Sequence, residues 1–180
     1  MAVTLLVGGA RSGKSTLAVQ MGEHHAGPVH FIATADAFDD DLRARVERHR
    51  AERPASWSTA EVPVELAAAV AAPASEAFVI VDCLTVWLGN LFTHVTDPRE
   101  RVRHGDELVA ALRERGRTEA PTVVVSNEVG MGVHPATPIG REYRDELGRL
   151  NQLVATVADR SLLLVAGHAV RLEKPWELLR

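Results

Sequence analysis

Gly8-Gly9-Ala10-Arg11-Ser12-Gly13-Lys14-Ser15 satisfies the pattern GxxxxGK[ST], and it stands between a short apolar run and a helical pattern. Val3 to Val7 suits a buried parallel strand, and Ser15 to Met21 continues as a helix whose amino end points back at the loop. Glycines in such a loop let backbone N–H groups close around phosphate oxygens, and the helix amino end adds unsatisfied donors and a favourable dipole. Lys14 is expected to reach the β- and γ-phosphates of a nucleotide, and the Ser15 hydroxyl to hold Mg²⁺.

The remaining chain supplies the sheet that such a loop requires. Strands are expected at Pro28–Thr34, Trp57–Val62, Phe78–Asp82, Thr122–Ser126, Ser161–Ala166 and, as an edge, Ala169–Leu172. Between them the spacing predicts helices at Asp40–His49 (closed by Pro54), Val64–Ala71, Leu84–Phe92, Pro98–Arg115 and Ile139–Asp159. In the Pro98 helix, Val102, Leu108, Val109 and Leu112 form the expected buried stripe. Strands alternating with helices give an α/β, P-loop NTPase-like domain with a mostly parallel central sheet flanked by helices, and ligands outside the strands' carboxyl ends. With 180 residues, the chain 1–180 is expected to form a single domain.

Charge and composition narrow the partners. A formal net charge of -4 gives no electrostatic case for nucleic acid, and the only lysines are Lys14 and Lys174. The lone Cys83 excludes an intrachain disulfide framework. There is no basic leader region and no stretch long enough for a membrane span, so the reading is a cytoplasmic protein.

Asp82 closes an apolar strand, which places its carboxylate beside the phosphate loop as a second Mg²⁺ holder; the plainer role is to cap the helix from Leu84. Glu128 follows the strand ending at Ser126 and reads either as a base for a substrate hydroxyl or as an ordinary loop carboxylate. His49 shares a helical face with Leu42 and Val46, which favours a packing role. An imidazole among Arg45, Arg50 and Arg53 is also suited to attack phosphorus, and spacing leaves both open. The pairs and single histidines at His24-His25, His94, His104 and His134 lack metal-ligand spacing and read as surface or packing residues.

Taken together, GGARSGKS, IATADAFDDDLRARVERHRAERP, VDCLTVWLGNL and SNEVGMGVHPATPIGREYRDELGRLNQ resemble the bifunctional adenosylcobinamide kinase/adenosylcobinamide-phosphate guanylyltransferase family of cobalamin biosynthesis. The resemblance implies phosphorylation of the aminopropanol hydroxyl of adenosylcobinamide by ATP or GTP, then transfer of GMP from GTP to that phosphate. It implies a guanylylated histidine at His49, reversing the reading from spacing. It carries nucleotide contacts onto Arg50, Ala51, Glu52 and Arg53, onto Glu61, and onto Ala33-Thr34-Ala35 and Cys83. A homotrimer with a corrinoid as small-molecule partner is also implied. Departures are Leu42 for a common methionine, Tyr143 for phenylalanine, and Gly167-His168-Ala169 where Gly-x-Pro is frequent. Two other readings compete: a P-loop small-molecule kinase without guanylyl transfer, and a GTP-gated switch, against which stands the lack of an NKxD-type guanine-reading motif.

Overall fold

The computed structural model describes residues 3–35 and 54–179. The expected Asp40–His49 helix, with His49, Arg50, Ala51, Glu52 and Arg53, lies outside the described residues. Seven strands form one sheet: β1 (Val3–Gly8), β2 (Val29–Ala33), β3 (Ser58–Glu61), β4 (Phe78–Asp82), β5 (Thr122–Val125), β6 (Arg160–Val165) and β7 (His168–Leu172), in the order β3-β2-β4-β5-β1-β6-β7. Every neighbouring pair is parallel except β6 and β7, which form an antiparallel hairpin. The helices are α1 (Lys14–Glu23), α2 (Leu66–Ala71), α3 (Leu84–His94), α4 (Pro98–Arg115) and α5 (Pro138–Val157), followed by a 3-10 turn at Pro175–Leu179. None of them is long and apolar enough to cross a membrane.

Alternation along the strands divides the core into two layers. Leu5, Val7, Val79, Val81 and Val124 face Leu66, Leu84, Trp87, Leu108, Leu112, Leu147 and Val154 from α2 to α5. Leu6, Phe31, Ile80, Val123 and Val125 face the other way, toward Ala18 and Leu17 of α1. Strands buried on both faces read as continuous apolar runs, and this is why β1, β4 and β5 stand out in the sequence.

One expectation for α4 is corrected. Val102 is 56% exposed, and the buried positions include Arg101 and His104 together with Leu108, Val109, Leu112 and Arg115. The face turned inward at the start of α4 is set by charge: the Arg101 guanidinium pairs with Glu142 and Glu146 of α5 and lies 4.1 Å from the Phe92 ring centroid. A buried guanidinium with two carboxylates and a ring face is satisfied there. Val102, one position around, is left on the flank. Asp97 caps α4 by accepting from the Arg99 N–H, and Pro98 follows at the first helical position.

Candidate phosphate-binding site

The loop between β1 and α1 is built from backbone conformations that its glycines permit. Gly8 has φ +149° and Gly13 φ +100°, and Arg11 is also in the left-handed region at φ 57°. Gly8 has a second constraint: a Cβ there would lie 2.3 Å from the carbonyl oxygen of Leu164, its register partner on β6. That oxygen belongs to a paired strand and cannot swing aside, so Gly8→Ala combines strain with overlap. The substitution is expected to cost about 3 kcal/mol, lowering Tm by about 6–12 °C for a chain of this size. Thermal melts check this; a shift under about 2 °C would show that β6 yields more easily than the pairing suggests.

The β6–β7 hairpin braces the loop from outside. Its two-residue turn, Ala166 at φ 50° and Gly167 at φ 79°, has both central residues in the left-handed region, as a type I′ turn requires. The Gly167 N–H donates to the Ser12 carbonyl at 3.0 Å. The edge hairpin is therefore part of the site's frame.

Lys14, the first residue of α1, is buried. Its Nζ donates to the carbonyls of Gly8 at 3.0 Å and Gly9 at 2.7 Å and to Ser12 Oγ at 3.2 Å. Burial pushes its pKa below the usual lysine range, while the nearby Cys83 and Asp82 act in the opposite direction. No side chain caps the amino end of α1, so the backbone donors of its first turn face the loop. The ammonium, the uncapped donors and the inward-turned loop together form a cationic cradle of the kind that binds phosphate oxygens.

Asp82 ends β4 and Cys83 follows it. In the sheet β5 lies between β4 and β1, so the Asp82 carboxylate stands one strand further from the loop than immediate adjacency, although its charge still reaches Lys14. Ser15 and Asp82 are both half-buried. One hydroxyl and one carboxylate near a phosphate cradle suit Mg²⁺, which takes few protein ligands and completes its shell with water and phosphate oxygens. Ala33, Thr34, Ala35 and Glu61 lie at the carboxyl ends of β2 and β3, on the same edge of the sheet.

Thr34 is fully buried and serves the frame. Its hydroxyl donates to the Cys83 carbonyl at 2.7 Å and accepts from the Cys83 N–H at 2.8 Å, and its own N–H donates to the Asp82 carbonyl. Asn90 of α3 donates to the Thr34 carbonyl at 2.7 Å and to that of Pro63 at 3.1 Å. Burial pushes the Cys83 thiol up to about 11 from an ordinary value of 9.0, with the Asp82 charge adding to it. A raised pKa means that the neutral thiol supports the fold up to about pH 9, and that this support is lost as pH rises toward 11. Cys83 is thus a packed thiol at neutral pH, and alkylation by iodoacetamide at pH 7.5 is expected to be slow until the protein is denatured. Fast modification of the native protein would mean that Cys83 carries a reactive thiolate.

The end of β5 touches the phosphate loop most directly. The Ser126 N–H donates to Leu6, and the Glu128 N–H to Gly8 at 3.2 Å. Asn151 of α5 fixes this junction, with Oδ1 accepting from the Ser126 hydroxyl at 2.6 Å and Nδ2 donating to the Asn127 carbonyl at 3.0 Å. The Asn127 N–H donates to Thr85 Oγ1, and the Tyr143 hydroxyl donates to the Thr85 carbonyl, tying α3 and α5 to the same edge. The sequence reading assigned no role to Asn90 or Asn151. Each interrupts an apolar helical stripe, Asn90 beside Trp87 and Leu91, Asn151 beside Leu147, Leu150 and Val154. A buried amide on such a stripe is a signal, since it persists only where its hydrogen bonds are met. A surface cleft of about 410 Å³, lined by Leu17, Met21, Phe78 and Pro121, lies at the opposite, amino-terminal end of the strands, away from this chemistry.

Comparison with known proteins agrees with the geometry. The KaiC-like protein PH0186 of Pyrococcus horikoshii shares the fold at a TM-score of 0.51 and 16% identity, over 90% of this chain and 70% of that one. The bifunctional adenosylcobalamin biosynthesis protein CobP of Pseudomonas aeruginosa is 42% identical over 164 residues, 91% of this chain and 92% of its own. CobU of Salmonella typhimurium, described by the same function, is 36% identical over 180 aligned residues, 94% of this chain and 98% of its own. Residues 4–172, from β1 through β7, match the family model described as cobinamide kinase / cobinamide phosphate guanyltransferase, and the chain belongs to that family.

Proposed function

We propose that this chain, acting as one nucleotide-binding domain over residues 1–180, phosphorylates the aminopropanol hydroxyl of adenosylcobinamide and then joins GMP to the new phosphate, giving adenosylcobinamide-GDP. The observation that carries the reading is the cradle around Lys14 in a chain that matches the cobinamide kinase family over residues 4–172. ATP or GTP donates the phosphoryl group, and GTP supplies the nucleotidyl group.

In the kinase step the acceptor hydroxyl oxygen attacks the γ-phosphorus, the bond to the β-phosphate oxygen breaks, and the nucleoside diphosphate leaves. Lys14 and the loop N–H groups of Gly9 to Ser15 hold the triphosphate in line and meet the charge on the departing oxygen. Ser15 and Asp82 would hold Mg²⁺, whose bound charge lowers the repulsion among the phosphates. Glu128, whose N–H donates to the Gly8 carbonyl, would serve as the base for the acceptor hydroxyl.

In the second step a neutral imidazole nitrogen of His49 attacks the α-phosphorus of GTP and pyrophosphate leaves, forming a phosphoramidate. A phosphate oxygen of the acceptor then attacks the same phosphorus and the imidazole departs. Arg50, Ala51, Glu52 and Arg53 follow the nucleophile as nucleotide contacts, with Glu61, Cys83 and the Ala33-Thr34-Ala35 segment completing the nucleotide side. A cytoplasmic location is part of the same reading, in keeping with a supply of nucleoside triphosphates there.

A homotrimer is part of this reading. Exposed apolar side chains on β7, Val170 and Leu172, and Trp176 in the 3-10 turn that follows support contact between copies. The test of function is product analysis: incubation with adenosylcobinamide, GTP and Mg²⁺ is expected to give the phosphate first and the GDP adduct second. Hydrolysis of GTP with no change in the corrinoid would refute it.

A further inference from the structure

We propose that the segment from Glu128 to Ile139 is the docking edge for the acceptor's macrocycle, with the side chains of Met131, Val133 and Ile139 as its contact surface; this rests on the function proposed above. These three residues are 82%, 94% and 61% exposed, the first two on the connection between β5 and α5 and the third in the first turn of α5. Exposed apolar groups gathered in one place mark a surface built to be covered.

Several of the segment's polar groups are engaged within the segment or by the first turns of α5. The Gly130 N–H donates to Glu128 Oε1 at 2.7 Å. Arg141 donates to the carbonyls of Pro135 and Ala136 at 3.0 and 3.1 Å, and Arg144 bonds to His134 Nδ1 at 2.9 Å. Thr137 accepts from the Gly140 N–H and caps α5. Between these anchored points Met131 and Val133 present thioether and methyl surface to whatever approaches.

Position identifies the occupant. The root of the segment is bonded to the phosphate loop through the Glu128 N–H and Gly8, and it is held from behind by Asn151 and Thr85. At about 3.8 Å per residue, Met131 and Val133 lie within about 11 and 19 Å of Glu128. A cobinamide carries its reacting hydroxyl at the end of a side arm, so when that hydroxyl meets the nucleotide its broad, methyl-rich ring must rest on protein a short distance away. Met131 and Val133 are exposed apolar groups at that distance along the chain from a residue bonded to the phosphate loop.

The experiment compares the full-length protein with Met131→Asp/Val133→Asp and with the milder Val133→Thr. Both side chains are exposed, so Tm is expected to stay unchanged. The double variant is expected to raise KM for adenosylcobinamide by about tenfold or more, as loss of buried apolar area at two residues implies. KM for GTP and covalent labelling by GTP stay at the wild-type level, and Val133→Thr shows a smaller rise in the same direction. An unchanged KM for adenosylcobinamide in the double variant, beside an active wild type, overturns the inference alone. An unchanged KM with an altered sedimentation coefficient also overturns it and assigns the patch to contact between copies. A wild type that does not act on cobinamide overturns the proposed function and this inference with it.

Discussion

Lys14→Ala is expected to lower kcat/KM by about 10²–10³-fold for both phosphoryl and guanylyl transfer, the cost of removing one aimed donor from a site where charge develops in the transition state. Both reactions break a bond within the triphosphate of a nucleotide, and the described residues form one glycine-rich cradle to hold it, so under the proposed function a single lysine would serve both. The structural cost should be small by comparison. Among the described residues Lys14 Nζ donates to the carbonyls of Gly8 and Gly9 and to Ser12 Oγ, all within its own loop, and its removal also relieves the burial of an ammonium group. Rates of each half-reaction measured beside a thermal melt separate the two effects. A variant that loses one reaction and keeps the other would show that a second phosphate site exists.

His49→Ala is expected to divide the activities instead. Guanylyl transfer should fall by at least about 10³-fold, since without the imidazole there is no covalent route and only bound, oriented reactants remain. Phosphorylation of adenosylcobinamide should stay within a few-fold of wild type, because that step is a direct in-line transfer from the bound triphosphate. The contrast with Lys14 is informative: under the proposed function one residue would hold the shared phosphates and the other would belong to a single step. A variant that loses both would assign His49 to nucleotide binding.

The sheet was largely legible because its strands are buried on two faces. Phe78–Asp82 is an unbroken apolar run closed by a carboxylate, and the observed β4 has those bounds. The long α4 was marked by Asp97-Pro98 at its start and Gly116 at its end, both of which cap it. Inside α4 the reading failed at Val102, because hydropathy assigns a valine inward and an arginine outward, whereas Glu142 and Glu146 arrive from 41 and 45 residues away to make Arg101 the buried partner. Strand order was hidden for a similar reason. Nothing local in Thr122–Val125 says that β5 inserts between β1 and β4, yet this sets Asp82 one strand from the loop and brings Glu128 onto Gly8.

The candidate site divides along the same line. The cradle was legible because its spacing is local and its glycines answer to backbone geometry at Gly8 and Gly13. The residues that hold the site's edges, Thr34, Asn90, Asn151 and Tyr143, act on partners distant in sequence, and their signal is only a polar group where an apolar one would pack. His49 is a third kind: spacing with Leu42 and Val46 favoured packing, and the family motif, read through RHRAER, assigned the opposite role.

That role is open to one direct measurement. The wild-type protein is incubated with GTP labelled at the α-phosphate and Mg²⁺, denatured, and assayed for retained label, with His49→Ala alongside. The account predicts close to one label per chain on the wild type, stable in alkali, released by acid, discharged to phosphorylated adenosylcobinamide before denaturation, and absent from His49→Ala. Acid-stable label, or equal labelling of the variant, or guanylyl transfer at the wild-type rate with no label at all, would contradict it.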